Sequence, residues 1–463
     1  MNVLFVASEC APFVKTGGLA DVVGALPKAL ADAGVTVRVL LPAYPALARL
    51  AASGREVFRR DHLFLGTLRV VAAQAEGLDL LLLDAPHLFE RPGNPYLEAP
   101  GRDHGDNHRR FGALGLVAAA LAREGIEGFV PDVLHAHDWQ AGLAPAYLAL
   151  SDGRRVASVT TIHNIAFQGV FGATAMRELD LPVAGFHVDG FEYYSHISFL
   201  KAGLMYADRI TTVSPTYARE LTDPTFGLGF EGIIASRRAD LSGILNGVDL
   251  GVWNPEHDPH LAATYSAAQP QGRAANRAAL EKRFGLSLAP DAPLFCIITR
   301  LTRQKGIDLL LDTLPRLLER GAGLVALGSG DGDLEARLGA AAAASPGRVG
   351  VEFGYDEPLS HLMQGGADSI LIPSRFEPCG LTQLYGLRYG CLPLVARTGG
   401  LADTVIDAKR RGARPRRRDR LPVRPRHCRG AGRRARPRHR RLRHTGNLAP
   451  DDGKCDAPAG WMG

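Results

Sequence analysis

The sequence predicts an α/β protein built from two doubly wound, parallel-sheet domains. Three observations carry that prediction. Short apolar runs alternate with segments of helical period, as successive βα units require. The pattern restarts near residue 293, after a stretch at 246–259 rich in Asn, Gly, Asp and Pro that reads as a linker. The hexapeptide Thr-Gly-Gly-Leu-Ala-Asp occurs twice, at 16–21 and 398–403, each time after an apolar run and before a helical pattern. The 463 residues suffice for two large domains.

The elements follow in order. Residues 3–7 are a short apolar run and read as a buried strand. The loop 15–18 comes next. Leu19, Val22, Val23, Leu26 and Leu30 then keep a helical period over 19–33, and Gly34 stops it. Residues 35–41 are a second strand. Further strands are expected at 133–136, 156–162 and 210–213, with helices such as 112–123 and 141–150 between them. In the second half, strands are expected at 293–298, 324–327, 349–353, 369–372 and 392–396, and a helix at 307–320. The expected division is 1–248, 249–408 and a separate tail, 409–463.

Composition excludes several classes. At 46% hydrophobic and 22% charged, the chain can bury large cores and is not disordered throughout. No apolar run approaches the ~20 residues of a membrane span, and the first eight residues lack the basic start of a secretory leader. None of the six Cys forms a C-x-x-C pair, so a reduced, cytoplasmic setting is expected. The net charge of +6 is uneven: residues 409–443 hold 18 Lys and Arg against Asp419 alone, while 1–408 carry −9. A nucleic-acid partner is therefore not expected of the main body.

Several segments bear chemistry. Both Thr-Gly-Gly loops open a helix, where backbone N–H groups stabilise anions; two domains facing one phosphorylated ligand across a cleft would explain the repeat. Arg300 and Lys305 lie in the loop after the strand at 293–298, where two cations suit a diphosphate. Alone they read more simply as solvated surface charges. Glu377 precedes the helical run 381–388 and, beside those cations, becomes a candidate for binding sugar hydroxyls. His135, His137 and Asp138 end one strand and His163 another, but no set of metal ligands emerges. Asp331-Gly332-Asp333 matches a D-x-D pattern and reads more simply as a helix start.

Together these segments resemble one family, the bacterial glycogen synthases and plant starch synthases. The residues that carry the resemblance are 15–19 (KTGGL), 137–139 (HDW), 161–169 (TIHNIAFQG), 245–249 (LNGVD), 299–306 (TRLTRQKG), 374–381 (SRFEPCGL) and 398–401 (TGGL). The resemblance implies two Rossmann-like domains facing across a cleft, the GT-B architecture, and transfer of glucose from ADP-glucose to the non-reducing end of an α-1,4-glucan such as glycogen, with retained configuration. It implies that Lys15, Gly18, Arg300 and Lys305 hold the diphosphate, and that Glu377 and His163 contact the glucose with Asp138 beside it. Tyr355 would stack on adenine, Thr382 would bind phosphate, Leu381 would line the ADP-glucose site, and Asn246 would be a further polar contact. It implies no cofactor, metal or membrane. Tyr385 stands eight residues after Glu377, where many related transferases have a second Glu; this is similar to the glycogen and starch synthases.

The resemblance stops near residue 408. The stretch 409–443 has no helical or alternating period and carries Pro415, Pro422, Pro425 and Pro437. Its abrupt onset is expected of a shifted reading frame, and a chain ending so is expected to be impaired.

Overall fold

The computed structural model describes residues 1–98 and 101–407; the basic, Pro-containing stretch expected as an aberrant tail lies outside them. Nine strands form the first sheet: β1 (Asn2–Val6), β2 (Thr36–Pro42), β3 (Arg55–Leu63), β4 (Gly66–Ala75), β5 (Leu78–Asp84), β6 (Val133–His137), β7 (Ala157–Ile162), β8 (Arg209–Thr212) and β9 (Leu241–Gly243). Their order is β9-β8-β7-β6-β1-β2-β5-β4-β3. The run from β5 to β8 has the doubly wound 3-2-1-4-5-6 order, with all its pairs parallel. A second sheet holds β10 (Leu294–Ile298), β11 (Gly323–Gly328), β12 (Val349–Phe353), β13 (Ser369–Ile372) and β14 (Leu392–Val395), ordered β12-β11-β10-β13-β14 and parallel throughout. Both sheets are Rossmann-like. Residues 244–271 between them hold no helix or strand.

The apolar runs are continuous because both sheet faces are covered. In β1, Val3 and Phe5 belong to one core and Leu4 and Val6 to the other. In β5, Leu80 and Leu82 alternate likewise with Leu81 and Leu83. The helices that matter for the site are α1 (Gly18–Asp32), α2 (Asn107–Glu124), α3 (Leu143–Leu150), α4 (Phe199–Tyr206), α5 (Pro215–Glu220), α6 (Gly272–Phe284), α7 (Ile307–Glu319), α8 (Gly332–Ala344), α9 (Glu357–Gly366), α10 (Thr382–Tyr389) and α11 (Gly399–Thr404). Among the described residues no helix is long and apolar enough to cross a membrane.

Two expectations need correction. The first sheet is mixed, not wholly parallel, because β4 runs antiparallel to both β3 and β5. Its β4–β5 turn places Glu76 and Gly77 at φ 52° and 72°, the two-residue geometry that matches strand twist. The helical pattern expected after the second hexapeptide is short: the helix stops at Thr404, and Val405 is already extended.

Candidate functional site

The candidate residues lie at carboxyl ends of strands, where open α/β sheets bind ligands. β6 ends at His137, and Asp138 follows with φ 56°, a left-handed backbone uncommon outside glycine. Neighbouring β7 ends one residue before His163, and the pairing of His137 with Thr161 sets the two ends side by side. Asp138 Oδ1 accepts hydrogen bonds from the N–H groups of His163 (2.6 Å) and Asn164 (3.3 Å). His137 Nδ1 lies 3.0 Å from His163 Nε2, and His135 Nε2 lies 2.6 Å from Thr161 Oγ1. Burial pushes His135 down to about 4 and His163 to about 3, so the cluster is neutral near pH 7.

Burial pushes the Asp138 carboxyl up to about 7, against the pull of the two N–H groups. The folded chain thus keeps a proton that the unfolded chain releases above about pH 4. The stability from this protonation is complete below about pH 4 and is lost as pH rises through about 7. Relative to the parent, Asp138→Asn is therefore expected to gain stability as pH rises from about 4 to about 7, by ~1.4 kcal/mol per pH unit, and no further above. The histidines are common to both proteins and cancel in the difference. Urea unfolding of the pair across that range checks it, and a constant difference would refute it.

The second half contributes Lys305 and Glu377. Lys305 Nζ donates to both Glu377 oxygens, at 2.8 and 2.6 Å, and Ser374 Oγ donates to Oε2 at 2.9 Å. Glu377 is only 6% exposed, so its charge depends on these partners. Gly306 makes the approach possible: its φ is 71°, and a Cβ there would meet the Pro373 carbonyl at 2.1 Å. Arg300 is exposed, has no carboxylate partner among the described residues, and lies 5.9 Å from the ring of Phe167 in the first half.

Lys15 crosses between the halves. Its ammonium bonds Asp21 at 2.8 Å and Glu357 at 3.1 Å and sits 5.8 Å from the exposed Tyr355 ring. Burial opposes its charge, but Asp21, Tyr355 and Glu357 outweigh this and raise its pKa. Tyr355 also donates to Glu357. A Cβ on Gly18 would touch Leu381 at 3.4 Å, so the first Thr-Gly-Gly loop abuts the segment before α10. Thr382 is the first residue of α10, among N–H groups without intrahelical partners. The Asn246 N–H reaches the Cys379 thiol, whose pKa burial raises to about 11. All eleven candidates thus fall around one junction of the two halves. Tyr385 is buried and stacks on Trp253, 3.7 Å between centroids at 6°.

The Thr-Gly-Gly loops correct the sequence reading. Glu9 accepts from Thr16 N, Thr16 Oγ1 and Gly17 N, and Glu220 accepts from Gly399 N. Gly400 N donates to the carbonyls of Glu377 and Pro378. The second loop's N–H groups are therefore engaged by protein, not open to phosphate; in the first loop this holds for Thr16 and Gly17. Sequence reasoning missed Glu9, Glu357, Ser374 and Tyr96, whose hydroxyl donates to Glu9. Only Ser374 carried a signal, as first residue of the 374–381 motif. Asp331 is the N-cap of α8, and among the described residues no group of three or more His, Cys, Asp or Glu could hold a metal.

Comparison with known proteins identifies the family. Residues 2–236 match the starch synthase catalytic domain family and 279–414 match glycosyl transferases group 1. The chain is 62% identical over 408 residues to a glycogen synthase of Roseobacter denitrificans, covering 88% of this chain and 85% of the relative. It is 55% identical over 409 residues to glycogen synthase 1 of Rhizobium meliloti, covering 88% and 85%. Among solved structures, the catalytic domain of starch synthase IV from Arabidopsis thaliana, bound to ADP and acarbose, is similar with a TM-score of 0.78 and 33% identity, covering 91% of this chain and 86% of that one. The two Rossmann-like sheets, the strand-end site at their junction and these similarities show that the chain belongs to the glycogen synthase and starch synthase family of GT-B glucosyltransferases.

Proposed function

We propose that this protein transfers glucose from ADP-glucose to the non-reducing end of an α-1,4-glucan, with retention. The observation that carries this is the Lys305–Glu377–Ser374 group in the second half, four residues along the chain from Leu381, which Gly18 of the first half approaches. Breaking the sugar–phosphate bond moves negative charge onto the departing diphosphate. Lys305, Arg300, Lys15 and the N–H groups opening α10 stabilise that charge from fixed positions. Glu377 and His163 contact the glucose with Asp138 beside it, Thr382 binds phosphate, and Asn246 is a further polar contact. In this reading 1–248 is the acceptor side and 249–408 the nucleotide-sugar side.

The Glu377 carboxylate favours one route to retention. A double displacement needs an ionised carboxylate nucleophile. Glu377 has both oxygens on Lys305, and burial raises Asp138 to about 7. Because Lys305 engages both Glu377 oxygens, the geometry favours same-face attack, in which the leaving phosphate accepts the acceptor's proton.

The test is incorporation of labelled glucose into glycogen from ADP-glucose or UDP-glucose, with and without EDTA. Incorporation is expected from ADP-glucose and is expected to survive chelation. Preference for UDP-glucose would overturn the donor assignment; loss on chelation, restored by Mg²⁺, would revive Asp331 and Asp333. Tyr355→Ala is expected to raise KM for ADP-glucose about tenfold with kcat within about twofold, since base stacking contributes ~1–3 kcal/mol. Steady-state kinetics read this directly, and an unchanged KM would remove Tyr355 from the adenine site.

A further inference from the structure

The repeated hexapeptide is held by carboxylates of different origin. Glu9, which grips the first copy, lies in the same half just after β1. Glu220, the last residue of α5, belongs to the first half but grips the copy in the second. Its Oε1 accepts from Gly399 N at 2.9 Å and Thr398 Oγ1 at 3.2 Å, and its Oε2 from Gly399 N at 3.1 Å. Asp403, which ends that copy, reaches back: Thr216 N donates to it at 2.7 Å and Thr216 Oγ1 at 2.6 Å. Two carboxylates pointing in opposite directions therefore clasp α5 to α11.

Each side of this clasp continues into the candidate site. On the α5 side, Ser214 Oγ caps the helix, and the fully buried Tyr217 hydroxyl accepts from Ile165 N, two residues after His163. On the α11 side, Gly400 N donates to the Glu377 carbonyl at 3.1 Å. Gly399, at φ 43°, packs so closely that a Cβ would lie 1.9 Å from that same oxygen. One connected path thus runs from the His163 segment through Tyr217, Glu220 and Gly399 to the backbone of Glu377.

We infer that Glu220 is a positioning residue which, with Asp403, sets the Glu377 loop against the His163 loop. It touches no substrate, and the inference rests on the function proposed above. It also explains why the second loop keeps the hexapeptide without serving as a phosphate cradle: Gly399 admits the carboxylate and Asp403 returns the contact.

The test compares the full chain with Glu220→Ala, Glu220→Gln and Asp403→Asn. Glu220→Ala is expected to lower kcat about 30-fold while the Kd for ADP, by calorimetry, stays within twofold and Tm nearly unchanged. Glu220→Gln keeps one acceptor oxygen and is expected to restore part of kcat. Asp403→Asn is expected to lower kcat less, and the double variant no more than about twofold beyond Glu220→Ala. Amide hydrogen exchange of segments 163–165 and 377–381 is expected to quicken in Glu220→Ala relative to the parent. An unchanged kcat overturns the inference. Tighter ADP binding by Glu220→Ala overturns it in favour of an anion site that Glu220 fills. Parallel loss of kcat, ADP binding and Tm overturns it in favour of plain structural damage. If the parent itself transfers no glucose, the proposed function fails, while hydrogen exchange at 163–165 and 377–381 still decides the clasp.

Discussion

Lys305→Ala is expected to lower kcat/KM by roughly 100- to 1,000-fold, about 2.7–4 kcal/mol of transition-state stabilisation. The substitution removes a preorganised cation from the departing diphosphate and strips Glu377 of its partner on both oxygens. Glu377 stays buried with Ser374 as its remaining side-chain partner, so stability should fall by ~3 kcal/mol, the scale of breaking a buried pair. Adding Glu377→Gln separates the effects: the double variant should regain most of the stability and none of the activity. Arg300→Ala is the contrast. Arg300 is exposed and unpaired among the described residues, so turnover should fall well over tenfold while stability moves by no more than ~0.5 kcal/mol. Near-parental turnover in Lys305→Ala and Arg300→Ala, measured beside urea unfolding, would remove both from the diphosphate site.

Gly306→Ala is expected to be nearly as severe, although it deletes nothing that meets substrate. A left-handed backbone costs a non-glycine residue ~1–2 kcal/mol. The added Cβ would also lie 2.1 Å from the backbone carbonyl of Pro373, which cannot swing aside as a flexible side chain can. Together these should cost more than ~3 kcal/mol and shift Lys305 relative to Glu377. Activity should fall at least tenfold at temperatures where the variant is still folded. An alanine variant with parental Tm and turnover would show that this approach is not needed to place Lys305.

Much of this was legible in the sequence because it is locally encoded. Strands covered on both faces read as unbroken apolar runs, which is why β1, β2, β7, β10 and β13 stand within about a residue of their expected bounds. Glycine at 306 marks a backbone that other residues resist. The motif residues Lys15, Asp138, His163, Arg300, Lys305 and Glu377 follow strands or open helices, so their spacing along the chain already predicted one shared end of each sheet. Other features have no local signature. The turn between β3 and β4 uses Phe64 and Leu65 at φ 50° and 69°, without the Gly or Asn that betrays such turns. Lys15 meets Glu357 from 342 residues away, and Glu220 meets Gly399 from 179. The charge state of Asp138 depends on burial, which no spacing encodes. Sequence determined the two βα layers and the cations at their ends, because backbone preference and hydrophobic period act over a few residues. Tertiary structure alone decided which carboxylates fill the Thr-Gly-Gly loops and which keep their protons, because hydrogen-bond reach and desolvation are properties of space and not of chain order.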